Sequence, residues 1–266
     1  MNLNESHLEI TTSIGCKINC IKYCPQELIT SRYKGNKYLT LENFKYLINT
    51  VPKDIPIIFA GVSEPFLNPH TVDMILYAHI QGHLIQVDST LVGLCPIDAE
   101  LISSTVPFQQ FVIHLPDTHG NAHIDITEEY CRTLGIILGG VHNLSFMNMG
   151  MMFESLHMED IARGTSTVHK KGRVCCYRHE HPDYYMMPNG DVYFCCITRG
   201  LIEQVGSLYD NTYQELTEPE RFQKQSLRMQ TDEQSICHKC SFSHKYQPPW
   251  LSNIKQKCMK ILMEHI

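Results

Sequence analysis

The stretch Cys16-Lys17-Ile18-Asn19-Cys20-Ile21-Lys22-Tyr23-Cys24-Pro25 follows directly on a strand-like run at residues 8–13. Three thiols on one loop match three irons of a 4Fe–4S cluster, and such a loop leaves the fourth iron open to a non-protein ligand. A closed zinc site needs a fourth Cys or His nearby, and only His7, ahead of the strand, is at hand. Outward from the loop, strand and helix patterns alternate. Apolar runs at 57–60, 84–90, 110–115 and 144–149 predict further strands, and helical spacing predicts helices over 41–51, 71–81, 97–103 and 127–138. Gly82 is expected to stop the second helix and Gly139-Gly140 the last. This succession implies parallel strands with right-handed crossovers, hence an α/β sheet or partial barrel of about five to six strands. In such folds chemistry gathers at the carboxyl edge of the strands, where the cysteine loop lies.

With 266 residues the chain can bury a full core without disulfide or metal staples. A formal net charge of −6 argues against a protein that coats nucleic acid by electrostatics. No run approaches the roughly 18 apolar residues of a membrane span, and the first ten residues are too polar for a secretory signal. The expectation is a cytoplasmic protein with neither a nucleic-acid nor a membrane partner. In that reducing compartment, twelve cysteines point to metal binding or redox chemistry. Cys95, Cys131 and Cys258 read as small buried hydrophobes.

Beyond about residue 151 the pattern changes. A helix is expected over 154–162, a polar basic linker over 163–173, and then the doublet Cys175-Cys176. A hairpin follows, with strands at 184–187 and 192–194 around the turn Pro188-Asn189-Gly190-Asp191. The doublet Cys195-Cys196, a helix over 216–229 and the pair Cys237-His238-Lys239-Cys240 come next, and a tail from 249 with helical spacing of Leu251, Ile254, Cys258, Ile261 and Leu262 closes the chain. The organisation expected is residues 1–165 as a partial (β/α) barrel and 166–266 as a small cysteine-rich domain with a hairpin and a C-terminal helix. Four thiolates in this second region suit an iron–sulfur cluster or a zinc ribbon.

The first loop resembles the signature of the radical S-adenosylmethionine (SAM) enzymes, C-x3-C-x2-C after the first strand with an aromatic before the last Cys. Here the spacing is C-x3-C-x3-C, one residue longer. The run Gly61-Val62-Ser63-Glu64-Pro65 after the second strand resembles the family's G-x-G-E-P segment, with Ser63 at its second glycine. The resemblance implies that Cys16, Cys20 and Cys24 hold a 4Fe–4S cluster and that SAM chelates its open iron. It implies also that Gly61, Ser63 and Glu64 meet the SAM ammonium, with Tyr23 against the adenine. For the ribose it points to later strand ends, where Ser89, Thr90, His114 and Asn148 stand.

The order Cys176…Gly190-x4-Cys195…Cys237-x2-Cys240 resembles the SPASM/twitch extension behind some radical SAM domains, and Val205-Gly206-Ser207-Leu208 resembles the segment that follows there. The resemblance implies one auxiliary 4Fe–4S cluster held by Cys176, Cys195, Cys237 and Cys240, with Cys175 and Cys196 able to exchange into the set. The activity implied is reductive cleavage of SAM to a 5′-deoxyadenosyl radical that abstracts hydrogen from a substrate. An external one-electron reductant such as flavodoxin or ferredoxin is implied with it. Because an all-cysteine cluster has no open site, it suits accepting an electron, so the reading is dehydrogenation of a small sugar- or polyol-like compound. His114 and Asp117 are the pocket candidates. A peptide-modifying maturase is the alternative within the class, and a non-catalytic zinc scaffold the alternative outside it.

Overall fold

The computed structural model describes residues 6–18, 20, 24–115, 124–148, 166–195 and 201–246. Strands β1 (His7–Thr11), β2 (Ile57–Ala60), β3 (Ile85–Ser89), β4 (Gln110–Leu115) and β5 (Leu144–Asn148) pair in parallel in the order 5-4-3-2-1. Helices α1 (Gln26–Arg32), α2 (Leu41–Ile48), α3 (Thr71–Ile80), α4 (Pro96–Thr105) and α5 (Glu128–Gly140) fall between them. This is a mixed α/β architecture, with the parallel sheet of a partial barrel. Thr40 and Thr127 start α2 and α5, their hydroxyls accepting from the N–H groups of Asn43 and Tyr130.

Strand alternation divides the sheet into two faces. Leu8, Ile10, Ile57, Phe59, Ile85, Val87, Phe111 and Ile113 join one buried core with Phe44 and Leu47 of α2, Met74 and Ile75 of α3, Ile102 of α4 and Ile137 of α5. The intervening residues, among them Glu9, Ile58, Gln86, Asp88 and Val112, therefore share the opposite, inner face.

Across residue 165 the sheet is continuous. β7 (Asp183–Met186) pairs in parallel with β1, making six parallel strands, and β8 (Asp191–Tyr193) and β9 (Gln204–Ser207) extend it antiparallel. The expected hairpin is thus the edge on which the second region is built. A separate ladder pairs β6 (Val174–Cys175) with β10 (His244–Lys245).

Two expected helix boundaries shift. α5 runs through Gly139-Gly140 rather than stopping before it; a Cβ on Gly140 would meet Ser103 Cβ at 2.8 Å, so this glycine serves the close approach of α4. The helix expected over 216–229 is two, α6 (Tyr213–Leu216) and α7 (Pro219–Thr231), because Pro219 lacks the N–H to continue α6 and instead opens α7. The described part of the basic linker grips the second cysteine region: Ser166 Oγ donates to Lys239 O (3.1 Å) and Lys170 Nζ to Cys240 O (2.5 Å). The helices expected over 154–162 and from 249 lie outside the described residues.

Candidate active site

The loop after β1 and the loop after β2 meet at the carboxyl edge of the sheet. Thr12 Oγ1 donates to Pro65 O (2.8 Å), the hydroxyls of Ser13 and Ser63 share a hydrogen bond (2.8 Å), and Asn68 Nδ2 donates to both Thr12 O and Leu39 O (2.7 Å each). Gly61 turns the chain here at φ +92°, where a Cβ would run into Thr11. Gln26, the first residue of α1, fastens the cysteine loop: its Oε1 accepts from Cys16 N–H (3.1 Å), and its Nε2 donates to Cys24 Sγ (3.0 Å) and to Val62 O. The Cys16 thiol is pushed up by burial, against hydrogen bonds from the Glu64 and Ile18 backbones, while the charges of Glu64 and Cys24 raise it further. Loop, Cys24 and Glu64 are therefore neighbours.

Glu64 is buried, and both its oxygens are engaged. Oε1 accepts from Ser89 Oγ (2.5 Å) and Phe66 N–H (3.3 Å); Oε2 accepts from Thr90 N–H and Oγ1 (2.7 Å each). Burial raises the carboxyl above its ordinary range although these bonds favour the carboxylate. Ser89 is itself fully buried, accepting from Leu91 N–H (2.8 Å) while it donates to Glu64. Its hydroxyl and that of Thr90 hold the carboxylate in place, so these residues from the ribose set stand beneath Glu64. Asn148 ends β5 opposite Leu115, and His114 lies on β4 opposite Met147. Tyr23 and Asp117 lie outside the described residues.

The second cysteine group assembles from three separated segments. Cys237 lies within a short 3₁₀ turn (Ile236–His238) with Cys240 just after it, Cys195 follows β8 and Cys176 follows β6. Burial pushes the Cys237 thiol far up, and the charges of Cys176, Cys195 and Cys240 push it the same way. Cys176 is pushed up to about 11, first by burial and then by Cys195 and Cys240 as well. Cys175 is not among the groups that act on Cys237, and Cys196 lies outside the described residues. All described cysteines are free thiols. Buried thiols whose anions repel one another are the donor chemistry of a thiolate-bound metal centre. The donor set fits.

The model of the SPASM family, an iron–sulfur cluster-binding domain, matches residues 175–241. Beyond the sequence, the backbone is similar to the crystal structure of BtrN in complex with AdoMet and 2-DOIA: TM-score 0.63, 13% identity, covering 91% of this chain and 93% of that one. It is similar also to native anSMEcpe with bound AdoMet (TM-score 0.51, 13% identity, 89% and 86% covered). The same protein with AdoMet and the Kp18Cys peptide gives TM-score 0.51 at 14% identity, with 89% and 86% covered. The chain shares the fold of these AdoMet-bound proteins, and its residues 175–241 match the SPASM iron–sulfur cluster-binding domain. No curated protein matches it in sequence.

Below the cysteine loop the inner face of the sheet carries a row of polar side chains. Asp183, 1% exposed, opens β7 beside His7 of β1; it pairs with His7 Nε2 and accepts from Arg178 Nη2 at 3.0 Å. Burial works against a charged His7 ring, yet Asp183 outweighs it, and the pKa of His7 is raised. Asp88 accepts from Gln86 Nε2 (3.2 Å), and burial lifts its carboxyl to about 6, with His7 opposing and Asp183 adding to the rise. Gln110 Nε2 donates to Ser145 Oγ (3.1 Å) on the next strand. This wall of carboxylates, amides and imidazole was invisible in the sequence because its members are single polar residues scattered through apolar strands. Gln26 and the Glu64 clamps were missed for the same reason: nothing in their spacing signals the contact.

Proposed function

We propose that the chain is a SAM-dependent radical oxidoreductase acting on a small sugar- or polyol-like molecule. The observation that carries this reading is the joining of two thiol groups by one sheet, with a polar inner face between them. Cys16, Cys20 and Cys24 would hold a 4Fe–4S cluster able to supply an electron to SAM, and Cys176, Cys195, Cys237 and Cys240 would hold a second, all-cysteine one suited to accepting an electron. Glu64, clamped by Ser89 and Thr90, accepts hydrogen bonds from the SAM ammonium alongside the backbone of Gly61 and Ser63; Tyr23 packs on the adenine and Asn148 faces the ribose. Asp88, Gln86, Gln110 and His114 orient substrate hydroxyls on the inner face, where exclusion of water protects the reacting carbon. Bound SAM and an auxiliary cluster would together supply a hydrogen-atom acceptor and a one-electron acceptor for oxidising an alcohol to a ketone, and Asp117 and His114 are the candidates for the base that would take the hydroxyl proton. The complex of BtrN with 2-DOIA supports a small-molecule substrate. The likeness to peptide-bound anSMEcpe favours a peptide substrate as the second reading. The residue boundary at 165/166, a cytoplasmic setting and a flavodoxin- or ferredoxin-type donor belong to the same proposal; no helix among the described residues is long and apolar enough to cross a membrane.

Anaerobic reconstitution tests it. The reading expects about eight irons per chain, formation of 5′-deoxyadenosine that Cys20→Ala abolishes, and a Cys237→Ala variant that cleaves SAM without oxidising substrate. One zinc per chain with no iron chromophore supports a scaffold instead.

A further inference from the structure

His179 stands three residues beyond Cys176, at the end of the 3₁₀ turn Tyr177–His179, and is 6% exposed. Its ring is held from two sides. The backbone N–H of Cys176 faces Nδ1 at 3.2 Å, and an amide N–H only donates, so Nδ1 carries the lone pair. The ring proton of the neutral tautomer therefore sits on Nε2, which lies 3.4 Å from Cys237 Sγ. Below the ring, Ser226 Oγ of α7 donates to His179 O (3.0 Å), and Gln230 Nε2 donates to Ser226 Oγ (3.0 Å). The ring of Phe194 lies beside the imidazole, centroids 6.5 Å apart. The backbone N–H groups of Arg178 and His179 also act on the Cys176 thiol. One residue thus touches two of the four thiols, through its backbone and through its ring.

We infer that His179 is a positioning residue that sets the reduction potential of the auxiliary cluster by donating Nε2–H to Cys237 Sγ. The inference rests on the reading of Cys176, Cys195, Cys237 and Cys240 as cluster ligands. A hydrogen bond to a ligand sulfur draws negative charge off the cluster. The reduced form carries one more electron, so the bond stabilises that form more, and the potential rises. The buried surroundings strengthen the effect, because little water screens it. An acceptor tuned upward takes the substrate electron more readily. A C-x2-C knuckle alone would supply thiolates without this adjustment.

The test is an EPR-monitored redox titration of the full-length holoenzyme, with the auxiliary signal recognised by its insensitivity to added SAM. His179→Phe keeps the ring volume and removes the donor. Its auxiliary potential should fall by about tenfold in the reduction equilibrium, about 59 mV for one electron, with the SAM-responsive cluster unchanged. His179→Gln, which offers an amide N–H near Nε2, should recover most of that shift. A wild-type potential in His179→Phe overturns the inference. Should that variant fail to load, pulsed EPR on wild-type protein with isotope-labelled histidine decides: a histidine-nitrogen coupling to the reduced auxiliary cluster is expected, and its absence overturns the tuning role alone. A reconstituted protein with about four irons, one zinc and no auxiliary signal overturns the cluster reading and this inference together.

Discussion

Replacing Gly61 by Ala probes the junction on which the first cluster loop depends. Gly61 sits at φ +92°, and an L-residue in left-handed backbone costs about 1–2 kcal/mol. The new methyl would also collide with Thr11 Oγ1 and stand 3.1 Å from Thr11 Cα, on the strand hydrogen-bonded alongside. Overpacking of that kind costs about 1–3 kcal/mol. The two contributions sum to about 2–5 kcal/mol, and with a urea slope of about 3 kcal/mol/M the midpoint should fall by about 1 M. Thr11→Ala removes the Oγ1 that the methyl would meet, at the loss of the acceptor for Val62 N–H (3.2 Å). In that background Gly61→Ala keeps the backbone cost and the 3.1 Å approach to Thr11 Cα but loses the collision with Oγ1, so its penalty should fall to about 1–3 kcal/mol. Anaerobic urea titration of the four proteins forms a double-mutant cycle, and a coupling of about 1–2 kcal/mol is expected. An identical penalty in both backgrounds, or a stable Gly61→Ala protein, would refute the packing argument.

Asp88→Asn should stabilise the protein. A folded pKa of about 6 means that the native state holds a proton the unfolded chain has released, so wild-type stability declines as pH rises from about 4 to about 6. The Asn variant should lose that decline and gain about 1–3 kcal/mol at neutral pH, while substrate turnover falls; urea midpoints at pH 4.5 and 7.5 give the check, about equal gains at both pH values being contrary. Gln26→Leu removes the donor to Cys24 and the acceptor for Cys16 N–H, and should speed loss of the first cluster to a chelator by about tenfold while the auxiliary cluster is retained. Asp183→Asn strips a buried carboxylate from His7 and Arg178 and should cost about 3–5 kcal/mol, with the pKa of His7 falling in NMR titration.

The order of strands and helices through residue 148 was legible because apolar periodicity survives single substitutions, and the cysteine groups stood out because thiols recur at short spacings in Cys16/Cys20/Cys24 and Cys237/Cys240. The hairpin around Asn189-Gly190 was readable for its turn chemistry; that it would pair with β1 was not, since Asp183 lies 176 residues beyond its strand partner His7 and no local pattern encodes such a pairing, which is set by Leu8 and Ile10 facing Tyr184 and Met186 in the core. Gly139-Gly140 misled because glycine marks both helix ends and close helix contacts. Ser89 pointed correctly to the edge of β3, but only coordinates reveal that its hydroxyl is spent on Glu64. His179 reaches Cys237 and Gln26 reaches Val62 between segments remote in the chain, and one sequence carries no record of such contacts.

The central claim is that Cys16, Cys20 and Cys24 hold a cluster whose open iron takes SAM. Pulsed EPR of the reduced protein with SAM isotope-labelled at its amino nitrogen tests it most directly. The account predicts a nitrogen coupling to the cluster that disappears in Cys20→Ala; an uncoupled signal, or a metal-binding loop that holds zinc and gives no signal, would contradict it.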